Sequence, residues 1–130
     1  MSRTFAATAA FALSLTLCLA ASAASAQMLK TADTPKGKTF VDAKGMTLYT
    51  FDKDSGGKST CNGPCAENWP ALQASDDAKP DGSMTIVVRD DGKKMWAYKG
   101  KPLYTFKKDM APGDINGDGF LNGAWHLATP

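Results

Sequence analysis

The sequence predicts an all-β fold, in which two pseudo-equivalent β-hairpin or meander repeats form one small sandwich or barrel-like domain. The first observation is a duplication, since residues 44–54 recur as residues 99–109 with eight identities in eleven positions. The second is that apolar residues alternate between turn signals, with no sustained helical period after the amino-terminal leader. Because one copy is too short to bury its own apolar face, we expect both copies to share one core.

The strands are predicted from alternation around glycine turns. Residues 39–42 and 46–52 should form a hairpin around Lys44-Gly45. Residues 84–89 and 93–99 flank Asp91-Gly92, which favours a two-residue type I′ turn that would pair Val87 with Trp96 and Thr85 with Tyr98. A third strand should begin at Pro102 after Lys99-Gly100, the counterpart of Lys44-Gly45. Residues 27–38 are expected to be an extended lead-in, with at most a short helical turn near Cys65.

The amino terminus has the pattern of a secretory signal peptide. Arg3 precedes an apolar run, and Ala24-Ser25-Ala26 gives the small-any-small sequence that signal peptidase reads. The apolar run is shorter than the roughly 20 residues of a spanning helix, so we interpret it as part of a cleaved leader and not as a membrane anchor. We therefore expect no transmembrane segment in the mature chain. Cys18 follows Leu17 where a lipidation signal needs a small residue, so lipid anchoring is not expected. The sequence therefore predicts removal of residues 1–26, cleavage near Ala26, and a periplasmic or secreted product.

Composition and charge exclude several partner classes. The chain has 15 Lys and Arg against 13 Asp and Glu, with both signs interspersed. This balance gives no electrostatic argument for nucleic acid or for anionic lipid, and we expect a monomer without a cofactor.

Two cysteines follow the leader, Cys61 and Cys65. In an oxidising compartment, two cysteines most simply form one disulfide. It would hold the turn between them and any helix that starts at Ala66.

The chain resembles a known family, the secreted repeats also described as predicted lipoproteins with a Tyr-any-(Phe/Trp/Tyr)-any-any-Asp motif. The resemblance spans nearly all of residues 27–130. It rests on residues 45–54, residues 59–66 around the cysteines, Trp69-Pro70, residues 100–109, residues 112–114, residues 117–119 and Trp125-His126. The family implies export and no defined activity.

The repeated motif supplies the first candidate functional residues. They are Tyr49, Phe51 and Asp54 in the first copy, and Tyr104, Phe106 and Asp109 in the second. The aromatic residues should enter the core, and each aspartate should accept hydrogen bonds from turn amides or from a tyrosine hydroxyl. A structural role is therefore expected, in preference to a pair of catalytic carboxylates.

The three tryptophans, Trp69, Trp96 and Trp125, have two interpretations. Trp69 and Trp125 follow the two motif tyrosines at nearly equal distances, which extends the duplication. Large aromatic residues in small β domains mostly fill cores, and the alternative is a stacking platform for a ring-shaped ligand.

Two metal sites also fit the residue types. Asp114, Asn116 and Asp118 match the first half of a calcium loop, although Trp125 stands where the twelfth-position glutamate belongs, so only weak calcium binding is expected. Cys61, Cys65 and His126 would suit copper or zinc, or thiol redox chemistry, if the cysteines stayed reduced.

The sequence thus favours an exported, non-enzymatic binding or structural module of the envelope or the extracellular space, with an unknown ligand. The alternative is a periplasmic metal or thiol-redox protein that uses Cys61, Cys65 and His126.

Overall fold

The computed structural model describes residues 29–130. The predicted signal peptide, its cleavage site near Ala26 and Cys18 lie outside the described residues. Seven of the nine elements in the described chain are β-strands, which confirms the all-β prediction. Its elements are β1 (Lys30–Thr34), β2 (Gly37–Val41), β3 (Tyr49–Phe51), α1 (Pro64–Asn68), β4 (Met84–Val88), β5 (Lys94–Tyr98), β6 (Lys101–Pro102), α2 (Phe120–Gly123) and β7 (Trp125–Leu127).

The strands form three small antiparallel sheets, with the orders β1-β2, β3-β7 and β4-β5-β6. Isolated bridges join the sheets, among them Val41 with Thr47 and Tyr49 with Tyr104. The predicted meander of β4, β5 and β6 is confirmed. Residues 30–34, part of the expected lead-in, are paired with β2 as β1.

The first predicted hairpin forms only in part. Asp42 and Met46 close its turn, since the Asp42 amide donates to the Met46 carbonyl at 2.9 Å. Beyond the Val41 to Thr47 bridge, however, β3 pairs with β7 at the far end of the chain, which places Thr50 opposite His126. β7 therefore occupies the edge of β3 that residues 39–42 would have occupied in a local hairpin.

The predicted register between β4 and β5 is wrong by one residue. Val87 lies opposite Met95 and Ile86 opposite Trp96. Arg89 pairs with Lys93, so the loop has three residues and only Gly92 takes a positive φ, of 82°. This is the type I turn followed by a left-handed glycine, which adds one residue to the loop and shifts the strands.

The two-residue turn with positive φ at both positions occurs elsewhere, at Lys99-Gly100, with φ of 50° and 83°. It sets the Tyr98 to Lys101 pair between β5 and β6. Its counterpart Lys44-Gly45 lies in a longer loop in which only Gly45 has a positive φ. The two copies therefore share their sequence here and differ in their turn.

Candidate functional site

The two motif tyrosines bond to the aspartates of the opposite copies. The Tyr49 hydroxyl donates to Asp109 at 2.6 Å, and the Tyr104 hydroxyl donates to Asp54 at 2.6 Å. The tyrosines also form an antiparallel backbone bridge with each other, with N to O distances of 2.8 and 3.0 Å. Each half of the duplication therefore holds the other half's loop.

Each aspartate uses its second oxygen to close the loop that follows it. Asp54 accepts the backbone N–H and the hydroxyl of Thr60, at 2.7 and 2.8 Å. Asp109 accepts the backbone N–H of Asn116 at 2.9 Å. A charged acceptor makes such bonds stronger than neutral ones. The motif aspartate is thus a fixed link between a tyrosine and a surface loop in both copies.

The tyrosine hydroxyls accept a further hydrogen bond from those same loops. The Gly117 amide donates to the Tyr49 hydroxyl at 3.2 Å. The Ser59 hydroxyl lies 2.6 Å from the Tyr104 hydroxyl, and because the latter donates to Asp54, Ser59 is the donor. Both buried hydroxyls are therefore satisfied as donor and as acceptor.

Burial shifts the ionisation of these groups. Desolvation, followed by the hydrogen bond to Asp109, raises the pKa of Tyr49 far above its ordinary value. Desolvation and the bond to Asp54 raise the pKa of Tyr104 in the same way. Burial also raises the pKa of Asp109, against the opposing effect of the bond from Tyr49. Both tyrosines consequently keep their protons and act as hydrogen-bond donors over the whole physiological range.

Four aromatic rings form a continuous stack in the core, in the order Phe51, Trp125, Trp69 and Phe106. The centroid separations along it are 4.2, 3.7 and 4.1 Å, and the two indoles are inclined by only 3°. The stack alternates between the two copies. Each ring is at most 9% exposed, so no face of the stack is open to a ligand.

Trp96 lies outside this stack. It is buried in a second cluster with Phe40, Leu72 and Leu103. The backbone of Trp96 bonds to Leu72 on one side and to Leu103 on the other. This position makes Trp96 part of the packing between the sheets.

The structure places Cys61 and Cys65 in a disulfide, with an S–S distance of 2.08 Å. His126 lies on β7, and its Nε2 is 2.8 Å from an oxygen of Asp52. Within residues 29–130, no group of three or more His, Cys, Asp or Glu side chains is arranged to hold a metal ion. The sulfurs bond to each other and are not available as thiolate ligands while the disulfide is intact.

The residues of the calcium-like loop bond to the protein itself. Asp114 accepts the backbone N–H groups of Met110 and Ala111 at 2.9 and 3.1 Å. Asp118 forms an ion pair with Lys36 at 2.5 Å. Asn116 donates through its side chain to the Lys108 carbonyl. The three side chains therefore act as turn and ion-pair partners.

An open groove of about 380 Å³ lies beside the β3-β7 sheet. Thr50, Asp52 and His126 supply one part of its lining, with Thr50 directly across from His126 in the register. The β5-β6 hairpin supplies Tyr98, Lys99 and Lys101 as the opposite part, and residues 127–130 complete the groove.

The groove contains both charge signs and one aromatic ring. The Lys99 ammonium lies 5.3 Å from the centre of the Tyr98 ring, and His126 with Asp52 forms an exposed ion pair when the imidazole is protonated. The arrangement offers hydrogen-bond donors and acceptors to a polar ligand. Asp52, Lys99 and Lys101 were not candidates from sequence, because they meet only in the fold. The pairing of β3 with β7 places Asp52 beside His126, and the contact of β6 with β3 brings the two lysines to the same groove.

The fold and its sites define a class of protein: a duplicated β module with a closed aromatic core and an open polar groove. The chain belongs to the family of secreted repeats of unknown function, which matches residues 30–73 and 85–129. The two motif tyrosines fall at the same offset within these two matched segments, in agreement with the duplication. No curated protein and no solved structure matches the chain. Among residues 29–130, no helix has the length and apolar character needed to cross a bilayer.

Proposed function

We propose that this secreted-repeat protein is an exported, non-enzymatic binding module whose ligand site is the groove between β7 and the β5-β6 hairpin. The duplicated core is its scaffold. The class of ligand that fits best is a polar molecule with carboxylate and hydroxyl groups, such as an acidic saccharide. Lys99 and Lys101 would hold its carboxylates, and the Asp52 and His126 pair its hydroxyls.

The observation that carries this proposal is a difference between two equivalent positions of the repeats. Asp52 donates its amide to the carbonyl of the residue before Trp125, and Lys107 donates its amide to the carbonyl of the residue before Trp69, at 2.8 and 2.9 Å. The backbones therefore match, but the side chains do not. One position has aspartate and the other has lysine.

The same difference appears immediately after each tryptophan. His126 follows Trp125, whereas Pro70 follows Trp69. The duplication thus retains the core residues in both copies, while the paired polar groups occur in one copy alone. Core packing does not require Asp52 or His126, since both side chains are exposed. A ligand that contacts one face of the module explains their presence better than stability does.

Nuclear magnetic resonance of the isotope-labelled protein tests this proposal, with tetragalacturonate as the acidic probe and chitotetraose as the neutral one. We expect saturable shifts of the Thr50, His126 and Lys101 amides with tetragalacturonate. The variant Lys99→Gln with Lys101→Gln should weaken binding about tenfold or more, as the loss of two charge-assisted hydrogen bonds implies.

The control is Lys107→Gln, an exposed lysine that occupies the position equivalent to Asp52 and does not line the groove. It should leave the affinity for tetragalacturonate unchanged. An equal loss of affinity in Lys107→Gln would mean that the weaker binding reflects the net charge of the protein and not contacts in the groove. Shifts that avoid the groove, or no shift with either saccharide, would overturn the proposal for this class of ligand.

A further inference from the structure

Three asparagines of the described chain are each followed by glycine: Asn62, Asn116 and Asn122. Asparagine is one of the chemically labile residues. The backbone nitrogen of the next residue can attack the side-chain amide carbon, and a glycine favours this attack because it has no side chain to obstruct the approach. The surroundings of the three pairs differ, and this difference determines which asparagine reacts.

The Asn116-Gly117 pair is held in place by the core. The Gly117 amide donates to the Tyr49 hydroxyl at 3.2 Å, and an added Cβ on Gly117 would lie 2.6 Å from the Trp69 ring. The Asn116 amide donates to Asp109 at 2.9 Å. Attack by the Gly117 nitrogen therefore requires the loop to move away from the aromatic stack.

The Asn122-Gly123 pair lies on the surface, but its nitrogen is occupied. The Gly123 amide donates to the Gly119 carbonyl at 3.0 Å. This turn must open before the Gly123 nitrogen is free to attack.

The Asn62-Gly63 pair is the least restrained of the three. Both residues are exposed, and among the described residues the Gly63 amide has no hydrogen-bond acceptor. The Asn62 side chain makes one hydrogen bond in the described chain, from Nδ2 to Asp90 at 3.1 Å. Because this bond is exposed to water, it opens at little cost.

We propose that Asn62 is a site of spontaneous covalent modification that loosens residues 59–62 from the loop between β4 and β5. The Gly63 nitrogen forms a bond to Asn62 Cγ, and the Cγ–Nδ2 bond breaks. Nδ2 leaves as ammonia, with the proton that the Gly63 nitrogen loses. Water then adds to the succinimide ring and opens it to aspartate or isoaspartate. This inference is independent of the groove.

The consequence of the modification follows from the contact with Asp90. A donor is lost at position 62 and a carboxylate replaces it, so like-charge repulsion takes the place of a hydrogen bond. We expect the change to be local, because the Arg89 guanidinium still donates to the Cys61 carbonyl. The loosened segment includes Thr60, whose amide is bound by the first motif aspartate.

The test is peptide mapping by mass spectrometry of the exported protein after incubation at neutral pH in water labelled with heavy oxygen. The label distinguishes aspartate formed during the incubation from aspartate already present. We expect labelled aspartate and isoaspartate at position 62, formed about fivefold or more faster than at position 122, where a fixed backbone bond must open first. Position 116 should remain asparagine.

The unfolded protein is the control for sequence effects. In guanidinium chloride with a thiol reductant, the three positions should convert at similar rates, because each asparagine precedes a glycine. Asn62→Gln is the control for the chemistry, since its longer side chain must close a larger and less favourable ring. It should remain unmodified at position 62.

Asn62→Asp reproduces one product and tests the structural consequence. Its Thr60 amide should exchange hydrogen faster than that of the parent protein, as measured by nuclear magnetic resonance. The matched control is Asn122→Asp, at the other exposed asparagine that precedes a glycine. It should leave the exchange of the Thr60 amide unchanged.

Either of two results would overturn the proposal. The first is that position 62 of the folded protein does not convert, or converts no faster than positions 116 and 122. The second is equal exchange of the Thr60 amide in Asn62→Asp and the parent protein, which would mean that the new carboxylate leaves the segment in place.

Discussion

Tyr49 and Tyr104 lie opposite each other in an antiparallel bridge, and each donates its hydroxyl hydrogen to the aspartate of the other's motif. The duplicated motif is therefore a reciprocal clasp. Neither tyrosine bonds to the aspartate of its own motif, so these two hydrogen bonds require both copies. This relationship explains why sequence identity is concentrated in the motif.

The clasp predicts a large and unequal cost for removing the hydroxyls. Tyr49→Phe should lower the free energy of unfolding by about 1.5–3 kcal/mol, because one oxygen of the buried Asp109 carboxylate loses its hydrogen-bond donor and only the Asn116 amide remains. Tyr104→Phe should cost less, since Asp54 is only partly buried and keeps two bonds from Thr60. Urea denaturation measures both values.

A double-mutant cycle of Tyr49→Phe with Asp109→Asn separates the pair from the general effect of each substitution. We expect a clear coupling energy between positions 49 and 109. Tyr49→Phe with Asp54→Asn is the control pair, since these two residues belong to one motif but do not form a hydrogen bond with each other. It should show little coupling. Coupling confined to that second pair would contradict the crossed arrangement.

The raised pKa values of the tyrosines predict a loss of stability in alkali. Tyr49 and Tyr104 are neutral in the folded protein well above pH 10, the ordinary value at which unfolded tyrosine ionises. Their contribution is complete below that pH and is lost as the pH rises through the folded pKa values. Denaturation midpoints measured across this range should fall more steeply for the parent than for Tyr49→Phe.

The absorbance of tyrosinate gives an independent measurement. Tyr49 and Tyr104 should not ionise until the protein unfolds, and refolding at neutral pH should restore the original spectrum. Smooth ionisation of all three tyrosines in a protein that remains folded would show that the two hydroxyls are more accessible than their contacts indicate.

The sequence predicts much of this fold because its signals are local. Alternation around glycine turns locates the meander, and Pro64 with the cysteines marks the short helix. The crossing of Tyr49 to Asp109 is not local. Since each tyrosine has two candidate aspartates, the sequence cannot tell a bond within one motif from a bond between motifs.

Two other features escape prediction for related reasons. The register of β4 with β5 depends on whether Asp91 takes a positive φ, and the neighbouring glycine alone satisfies a three-residue loop. The groove forms only because β3 pairs mainly with β7 and not with residues 39–42. Only tertiary packing decides that choice, through the stack of Phe51 on Trp125.

Gly117 should be intolerant of any side chain. An added Cβ would lie 2.6 Å from the Trp69 ring, closer than such atoms approach, and 3.0 Å from the Tyr49 ring, which is a tight contact. Gly117→Ala should therefore displace the aromatic stack and cost about 1–3 kcal/mol or more of stability. Thermal denaturation followed by near-ultraviolet circular dichroism measures both effects.

Asn116→Ala is the matched control for this substitution. It changes the adjacent residue of the same loop and keeps the amide that bonds to Asp109. It should leave the near-ultraviolet spectrum unchanged. A Gly117→Ala protein with parental stability and spectrum would mean that the loop moves away from Trp69 without cost.

The disulfide should make a modest contribution, because its loop is short. Replacing Cys61 and Cys65 with serine should lower the free energy of unfolding by about 2 kcal/mol in the chain-entropy model. Free-thiol counting on the exported protein should find no reactive cysteine after residue 26. Thiols that persist in the native compartment would favour the metal or redox alternative, in which His126 joins Cys61 and Cys65.

The loop of Asp114, Asn116 and Asp118 should bind calcium weakly or not at all. Its carboxylates are already engaged, and Trp125 occupies the position of the bidentate glutamate. Calcium must compete with the Lys36 ammonium for Asp118, so any dissociation constant should be no tighter than roughly 10⁻⁴–10⁻³ M, the range of extracellular modules. Calorimetric titration of the chelator-treated protein measures this affinity.

Lys36→Gln is the informative variant, since it frees Asp118 and should tighten any calcium binding that exists. A micromolar site in the parent protein would show that backbone carbonyls of the loop converge on the ion after a rearrangement that breaks the Lys36 pair.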